Sequence, residues 1–208
     1  MGGLDFQQLL VPFVILIASL TFHEAAHAWT ANQLGDPTAK MLGRLSLNPA
    51  VHVDVIGTIV FPLIAIVSGI PLIGWAKPVP VDMRNLKHPR RDFAVVALAG
   101  PVSNLILAAI GTVVFKSIYG PDVSNSGVVV DAVFMFVGLN VLLAVFNMIP
   151  IPPLDGGNVL MGVLPESMAA TVDRLRPWGF LLLYALMLSG VLSAIMAPVF
   201  RLVRSALL

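Results

Sequence analysis

The chain has 208 residues, of which 58% are hydrophobic and 11% charged, and its mean hydropathy is +0.93. A soluble domain is about a quarter charged, so this composition excludes a water-exposed globule or a disordered chain and makes a membrane protein with several spans the default. A net charge of +1 leaves no basic footprint for nucleic acid, and the absence of cysteine excludes disulfides, a cysteine nucleophile and thiolate metal ligands.

Residues 9–31 form the first apolar stretch, broken only around His23 and Glu24. A secretory leader opens with basic residues. The first basic residue here is Lys40, so the stretch reads as a retained spanning helix. Residues 32–54 are more polar, with Asp36-Pro37 and Asn48-Pro49 as turn signals. Residues 55–73 are again apolar and about long enough to span, but Pro62, Gly69 and Pro71 interrupt them. The Gly-Trp-Ala-Lys-Pro-Val-Pro-Val run that follows cannot be a helix, because Pro78 and Pro80 lack donors and fix φ. Residues 75–81 read as a short extended edge segment. A basic loop with Arg84, Lys87, Arg90 and Arg91 leads into the apolar stretches 93–115 and 132–149, which a polar link joins. Residues 154–177 are amphipathic, and residues 178–200 form a last span. There is no internal repeat. The chain is expected to be one membrane-embedded domain, residues 1–208. Its fold class is all-α and polytopic, with about four crossing helices, a re-entrant or non-crossing apolar segment at 55–73 and the extended segment at 75–81.

The sequence His23-Glu24-Ala25-Ala26-His27 puts two imidazoles on one helix face, within reach of a single cation. Glu24 stands beside them, where a metalloprotease carboxylate takes a proton from activated water and delivers it to the leaving amine. Ionisable groups in an apolar span are costly and usually functional. A catalytic zinc usually has three protein ligands and an open position. Candidates for the third are His52, Asp54, His88, Asp131 and Asp155. Asp155 is favoured, because it follows Pro150, Pro152 and Pro153 at the end of a span. Those prolines free backbone groups at membrane depth, which is tolerated only where the backbone is buried in protein or lines a polar cavity. His52 and Asp54 read as structural loop residues, with a place beside the metal or as an alternative ligand pair the less favoured reading. His88 reads as a solvated or headgroup-facing residue.

The HEAAH motif, the Asn147-Met148-Ile149-Pro150-Ile151-Pro152-Pro153-Leu154-Asp155-Gly156-Gly157 motif and the Ala99-Gly100-Pro101-Val102-Ser103-Asn104 stretch between them resemble the site-2 protease family of intramembrane zinc metalloproteases. The run at residues 74–81 and Asn48-Pro49-Ala50-Val51-His52-Val53-Asp54 are similar to its small, prokaryotic-type members. The resemblance implies one Zn2+ per chain held by His23, His27 and Asp155, with Glu24 as the base. It also implies that Asn147 donates to the substrate carbonyl or oxyanion, or helps set the geometry of the site. The implied reaction is hydrolysis of peptide bonds in or near transmembrane segments of single-span membrane proteins (regulated intramembrane proteolysis). Gly100 and Asn104 read as structural neighbours of the site. Residues 116–131 are too few for the peptide-binding PDZ domain that some members carry there, and no nucleotide-sensing domain is expected after the last span. The Lys77–Val81 run is expected to offer backbone groups to an unwound substrate by strand addition along one edge.

The metal dictates topology. Both motifs lie toward the C-terminal ends of their spans, so the first and third spans must run the same way to meet at one ion. One return crossing, residues 93–115, provides this. A further single crossing by residues 55–73 would set the motifs apart by much of a hydrocarbon core of about 30 Å, against a Zn–ligand bond of about 2 Å. Residues 55–73 are therefore expected to enter and return near Ser68-Gly69-Ile70-Pro71, or not to cross. Nine of the 12 basic residues then fall on one side, which the positive-inside rule makes cytoplasmic in a prokaryotic cell membrane. Arg201 and Arg204 fall on the other side if the last span crosses once. Two other classes stand beside the protease on the residues alone. A membrane metal transporter would use the same His/Asp site but wants a continuous polar path, and the spans carry almost no further ionisable groups. A catalytically silent scaffold has no use for an intact His23, Glu24, His27 and Asp155.

Overall fold

The computed structural model describes residues 6–61, 64, 68, 75–119 and 127–207, and every regular element among them is helical. Helix α1 (Phe6–Gln33) is followed by the short α2 (Thr38–Met41), and then by the two long helices α3 (Pro89–Tyr119) and α4 (Val128–Asn147). Two shorter helices, α5 (Asp155–Val163) and α6 (Glu166–Asp173), lead to α7 (Gly179–Leu188) and α8 (Val191–Leu207). Three helices, α1, α3 and α4, are long and apolar enough to cross a membrane. The stretches Glu166–Leu188 and Val191–Val203, bent by 70° between them, make a fourth if taken as one span.

Side-chain register fixes the directions. Ser19 and His23 on α1 meet Asn104 on α3, while His27 meets Val96. Numbers rise on one helix as they fall on the other, so the pair is antiparallel. Asn104 in turn meets Asn140 on α4, Gly111 faces Phe136 and Val137, and the Phe115 ring packs on Phe134. That pair is antiparallel too. Helices α1 and α4 therefore run the same way, and α3 is the return crossing, as the reach of a metal ion requires. Helix α7 starts where Gly179 abuts the Pro152 carbonyl, near the site, and α8 follows it. Helix α8 ends where Val203 joins Phe115, Val130 and Val137 in an apolar cluster at the opposite end of the bundle.

The segment after α2 starts with a cap and a wide turn. The Asp54 carboxylate accepts from the Gly57 N–H (2.7 Å) at the head of a π-type stretch, Val55–Val60. Trp75 N–H then donates to the Gly57 carbonyl (3.1 Å), and the Thr58 hydroxyl donates to the Trp75 carbonyl (2.8 Å). Gly57 and Trp75 therefore lie side by side, at one level of the structure. Apart from Ser68, the turn expected at 68–71 lies outside the described residues. Cysteines at Ile56 and Lys77, introduced singly, are expected to react with a membrane-impermeant maleimide from the same side of sealed vesicles. Labelling from opposite sides would contradict the returning path.

Residues 75–82 correct one expectation. They are not helical, but they pair with no strand, so they form no edge of a sheet. The donors of Trp75, Lys77 and Val79 are spent inward, on the Gly57 carbonyl, the His52 carbonyl (2.8 Å) and the Glu24 carboxylate (3.2 Å). Pro78 and Pro80 have no N–H to give on the other edge. The buried Arg44 guanidinium holds the run from below, donating to the carbonyls of Val51, Lys77 (2.7 Å) and Pro78 (3.1 Å). Buried Asp36 ties the end of α1 to the same loop by accepting from Asp82 N–H (2.8 Å), Asn85 Nδ2 (2.9 Å) and Thr38. Burial alone would raise its carboxyl, but these donors hold it below the usual carboxylate range.

Candidate metal centre

His23, His27 and Glu24 occupy one turn of α1 and are all buried. Asp155 is the first residue of α5. Its approach depends on glycines. A Cβ on Gly156 would strike the Met148 carbonyl, and one on Gly157 would strike Pro152 N, so only glycines let α5 fold back against the proline-rich turn. This places the carboxylate over the paired imidazoles. Asp155 Oδ2 lies 3.1 Å from His23 Nε2 and 3.4 Å from His27 Nε2, and one ligand atom from each of the three residues lies within 4.8 Å of the others.

The outer ring nitrogens are engaged. His23 Nδ1 donates to Asn104 Oδ1 (2.6 Å), and His27 Nδ1 donates to the Val96 carbonyl (2.7 Å). Both partners are acceptors, so each Nδ1 carries a proton, and each Nε2 faces the carboxylate. Three donor atoms facing one point need a cation among them, a proton or a metal ion. Two of the three spacings fit a metal ion. Ligand atoms around a tetrahedral zinc, at bonds of about 2.0–2.1 Å, lie about 3.3–3.4 Å apart, and the two carboxylate–imidazole separations are 3.1 and 3.4 Å.

The other sequence candidates lie elsewhere. His52 is buried, and its Nε2 donates to the Ser46 carbonyl (2.8 Å). Asp54 is a cap, Asp131 sits in the first turn of α4 at the opposite end of the bundle, and the His88 side chain is 72% exposed. Asn147 ends α4, and its Nδ2 donates to the Leu143 carbonyl of the same helix (3.0 Å) rather than to a member of the cluster. Two polar residues escaped sequence reasoning, Ser19 and Asn140, both fully buried. A signal was available for the second: Asn140 is the only polar side chain between Ala132 and Phe146. An isolated amide in a span demands a partner.

Residues 116–189 match the family model described as Peptidase family M50. Over 205 residues the chain is 38% identical to the "Putative zinc metalloprotease YwhC" of Bacillus subtilis, covering 96% of this chain and 90% of that relative. The chain belongs to peptidase family M50, the site-2 protease type of zinc metalloprotease. It is also 33% identical over 190 residues to the "Putative zinc metalloprotease Rip2" of Mycolicibacterium smegmatis, covering 87% of this chain and 69% of that one. The "Putative zinc metalloprotease Rip3" of Mycobacterium tuberculosis is 28% identical over 151 residues, which cover 30% of its length. No solved structure gives a significant match.

In this M50 chain, Gly100 forms the floor of the site. A Cβ there would collide with His23 Nε2 and His27 Nε2. Both sides of the contact are packed, so a methyl group must displace the imidazoles or the helix, at about 1–3 kcal/mol. Gly100→Ala is expected to bind zinc about 5- to 150-fold more weakly, as measured by metal titration, with helical circular dichroism unchanged. Wild-type affinity would place the metal away from this face of α3.

Proposed function

We propose that this M50 protein is an intramembrane zinc endopeptidase that hydrolyses peptide bonds in or near the transmembrane segments of single-span membrane proteins. The observation that carries the reading is the meeting of His23, His27 and Asp155 within 4.8 Å of one another, beside buried Glu24, inside a bundle of membrane-length helices. Helical substrates shield their own peptide bonds, so cleavage needs a wet and polar recess. The broken end of α4 and the turn of α1 around Glu24 supply the polar groups for one.

His23, His27 and Asp155 would hold a Zn2+ ion, which when bound would supply Lewis-acid chemistry to the scissile carbonyl and to water. Glu24 accepts the proton of the attacking water and later delivers it to the leaving amine. Until then its carboxylate is held by the Val79 N–H (3.2 Å), which fixes its direction. Asn147 keeps a second amide proton with no partner among the described residues, and it offers that proton to the substrate carbonyl. The membrane is the cytoplasmic membrane of a bacterium. The site faces the cytoplasm, because Lys40, Arg44, Lys77, Arg84, Lys87, Arg90 and Arg91 share its end of the bundle.

The test is cleavage of single-span substrates by the purified protein in liposomes, with and without a chelator. Cleavage that stops with chelation and returns with zinc is expected. Zinc flux across the liposome without cleavage would instead support a transporter.

A further inference from the structure

Behind the metal site runs a chain of polar side chains that the chemistry above does not use. It crosses three helices. Ser19, Asn104 and Asn140 are 0% exposed, and His23 is 4% exposed. Asn140 Nδ2 donates to the Phe136 carbonyl and to the Ser19 hydroxyl, both at 2.9 Å. Asn140 Oδ1 accepts from Asn104 Nδ2 (2.9 Å), which also lies 3.4 Å from the Ser19 carbonyl. Asn104 Oδ1 then accepts from His23 Nδ1 (2.6 Å).

This chain has a direction. Phe136 and Ser19 offer backbone carbonyls, which only accept. The Phe136 carbonyl fixes the Asn140 amide group on its own side and turns the Asn140 oxygen toward Asn104. That oxygen, together with the Ser19 carbonyl, fixes the Asn104 amide group and turns its oxygen toward His23. Reversing the Asn104 amide would set oxygen against both acceptors, among fully buried side chains. An oxygen at His23 Nδ1 demands a proton there. The other nitrogen, Nε2, is then the one free to bind a cation, and it is the one that faces Asp155.

We infer that Asn140 and Asn104 are positioning residues that fix the tautomer of His23, so that its Nε2 lone pair is presented to the metal. The inference rests on the zinc reading of the site for its consequence, but the tautomer itself is independent of zinc. It assigns Asn140, a residue outside both sequence motifs, to the metal centre. His27 needs no such relay, because the Val96 carbonyl fixes its ring directly (2.7 Å). Loss of a hydrogen-bond partner of this kind costs about 10- to 100-fold in metal affinity.

The test has two readouts. The first is the ring-nitrogen NMR spectrum of 15N-histidine-labelled, zinc-free Asp155→Ala protein in micelles at alkaline pH, in which no carboxylate competes for a proton on His23 Nε2. Its His23 is expected to carry its proton on Nδ1. When Asn140→Leu or Asn104→Leu is added, the His23 signal is expected to shift toward the Nε2-protonated form, while that of His27 stays in place. The second readout is zinc titration of proteins that keep Asp155. Both variants are expected to bind about 10- to 100-fold more weakly, and Asn104→Asp, which keeps an acceptor at His23 Nδ1, to bind more tightly than Asn104→Leu. A His23 protonated on Nε2 in the Asp155→Ala protein would overturn the inference without a leucine variant, should the leucine proteins fail to fold. So would an Asn140→Leu substitution that leaves tautomer and zinc affinity unchanged. The expected tautomer, together with a wild-type protein that binds no zinc, would uphold the relay and defeat the metal reading alone.

Discussion

A Glu24→Gln protein is expected to hold one zinc per chain and to lose cleavage by about 10²- to 10⁴-fold, the usual worth of a positioned general base. The substitution is clean for a structural reason. Glu24 Oε2 makes one described contact, as acceptor from the Val79 N–H at 3.2 Å. Glutamine keeps an oxygen of the same reach, so the run at residues 75–82 stays fastened to α1. It removes only the basicity. His23 and His27 hold their orientations through Asn104 and Val96, neither of which touches Glu24. Bound zinc by elemental analysis and cleavage of a single-span substrate are the two measurements. Zinc present with cleavage gone assigns the proton transfer to Glu24. Turnover within tenfold of wild type would assign it elsewhere.

What could be read in advance follows from how local each feature is. The imidazole pair needs only helical spacing, four residues on one face, and His23 and His27 are on one face of α1. The parallel course of α1 and α4 needed no contact information either. It follows from the shortness of a metal–ligand bond against the thickness of a membrane, and the registers of Ser19 with Asn104 and of Asn104 with Asn140 agree with it. The same reasoning leads to the expectation that residues 55–73 do not cross once; among the described residues, Gly57 and Trp75 are in contact. Features that depend on which side chain meets which across helices were not legible. Pro78 and Pro80 do keep residues 75–82 out of a helix, but the local pattern cannot say that the donors of Trp75, Lys77 and Val79 point inward. Likewise a lone Asn140 in an apolar span signals a missing partner without naming it. His52 reads from the sequence as a structural loop residue, but the sequence does not say which groups it meets: its ring donates to the Ser46 carbonyl, and its backbone carbonyl accepts from Lys77 N–H.

An Asp155→Ala protein is expected to lose both zinc and cleavage. Removing an outer hydrogen-bond partner costs about 10- to 100-fold in metal affinity, so removing one of three protein ligands should exceed the upper end of that range. The carboxylate also brings the only negative charge of the three, opposite two imidazoles whose Nε2 atoms lie 3.1 and 3.4 Å away. No other described carboxylate joins the cluster to take its place. The helix it opens should survive. Alanine is a good helix former, and the fold-back of α5 depends on Gly156 and Gly157 rather than on Asp155. Zinc titration and helical circular dichroism, measured together, separate a lost ligand from a lost fold. A transporter using the same three residues would also fail in Asp155→Ala, but it would not need Glu24. The pair of variants therefore distinguishes what neither does alone: a protease loses cleavage in both and zinc only in Asp155→Ala. Wild-type zinc affinity in a folded Asp155→Ala protein would remove this carboxylate from the metal centre, and with it the reason for α1 and α4 to end at one depth.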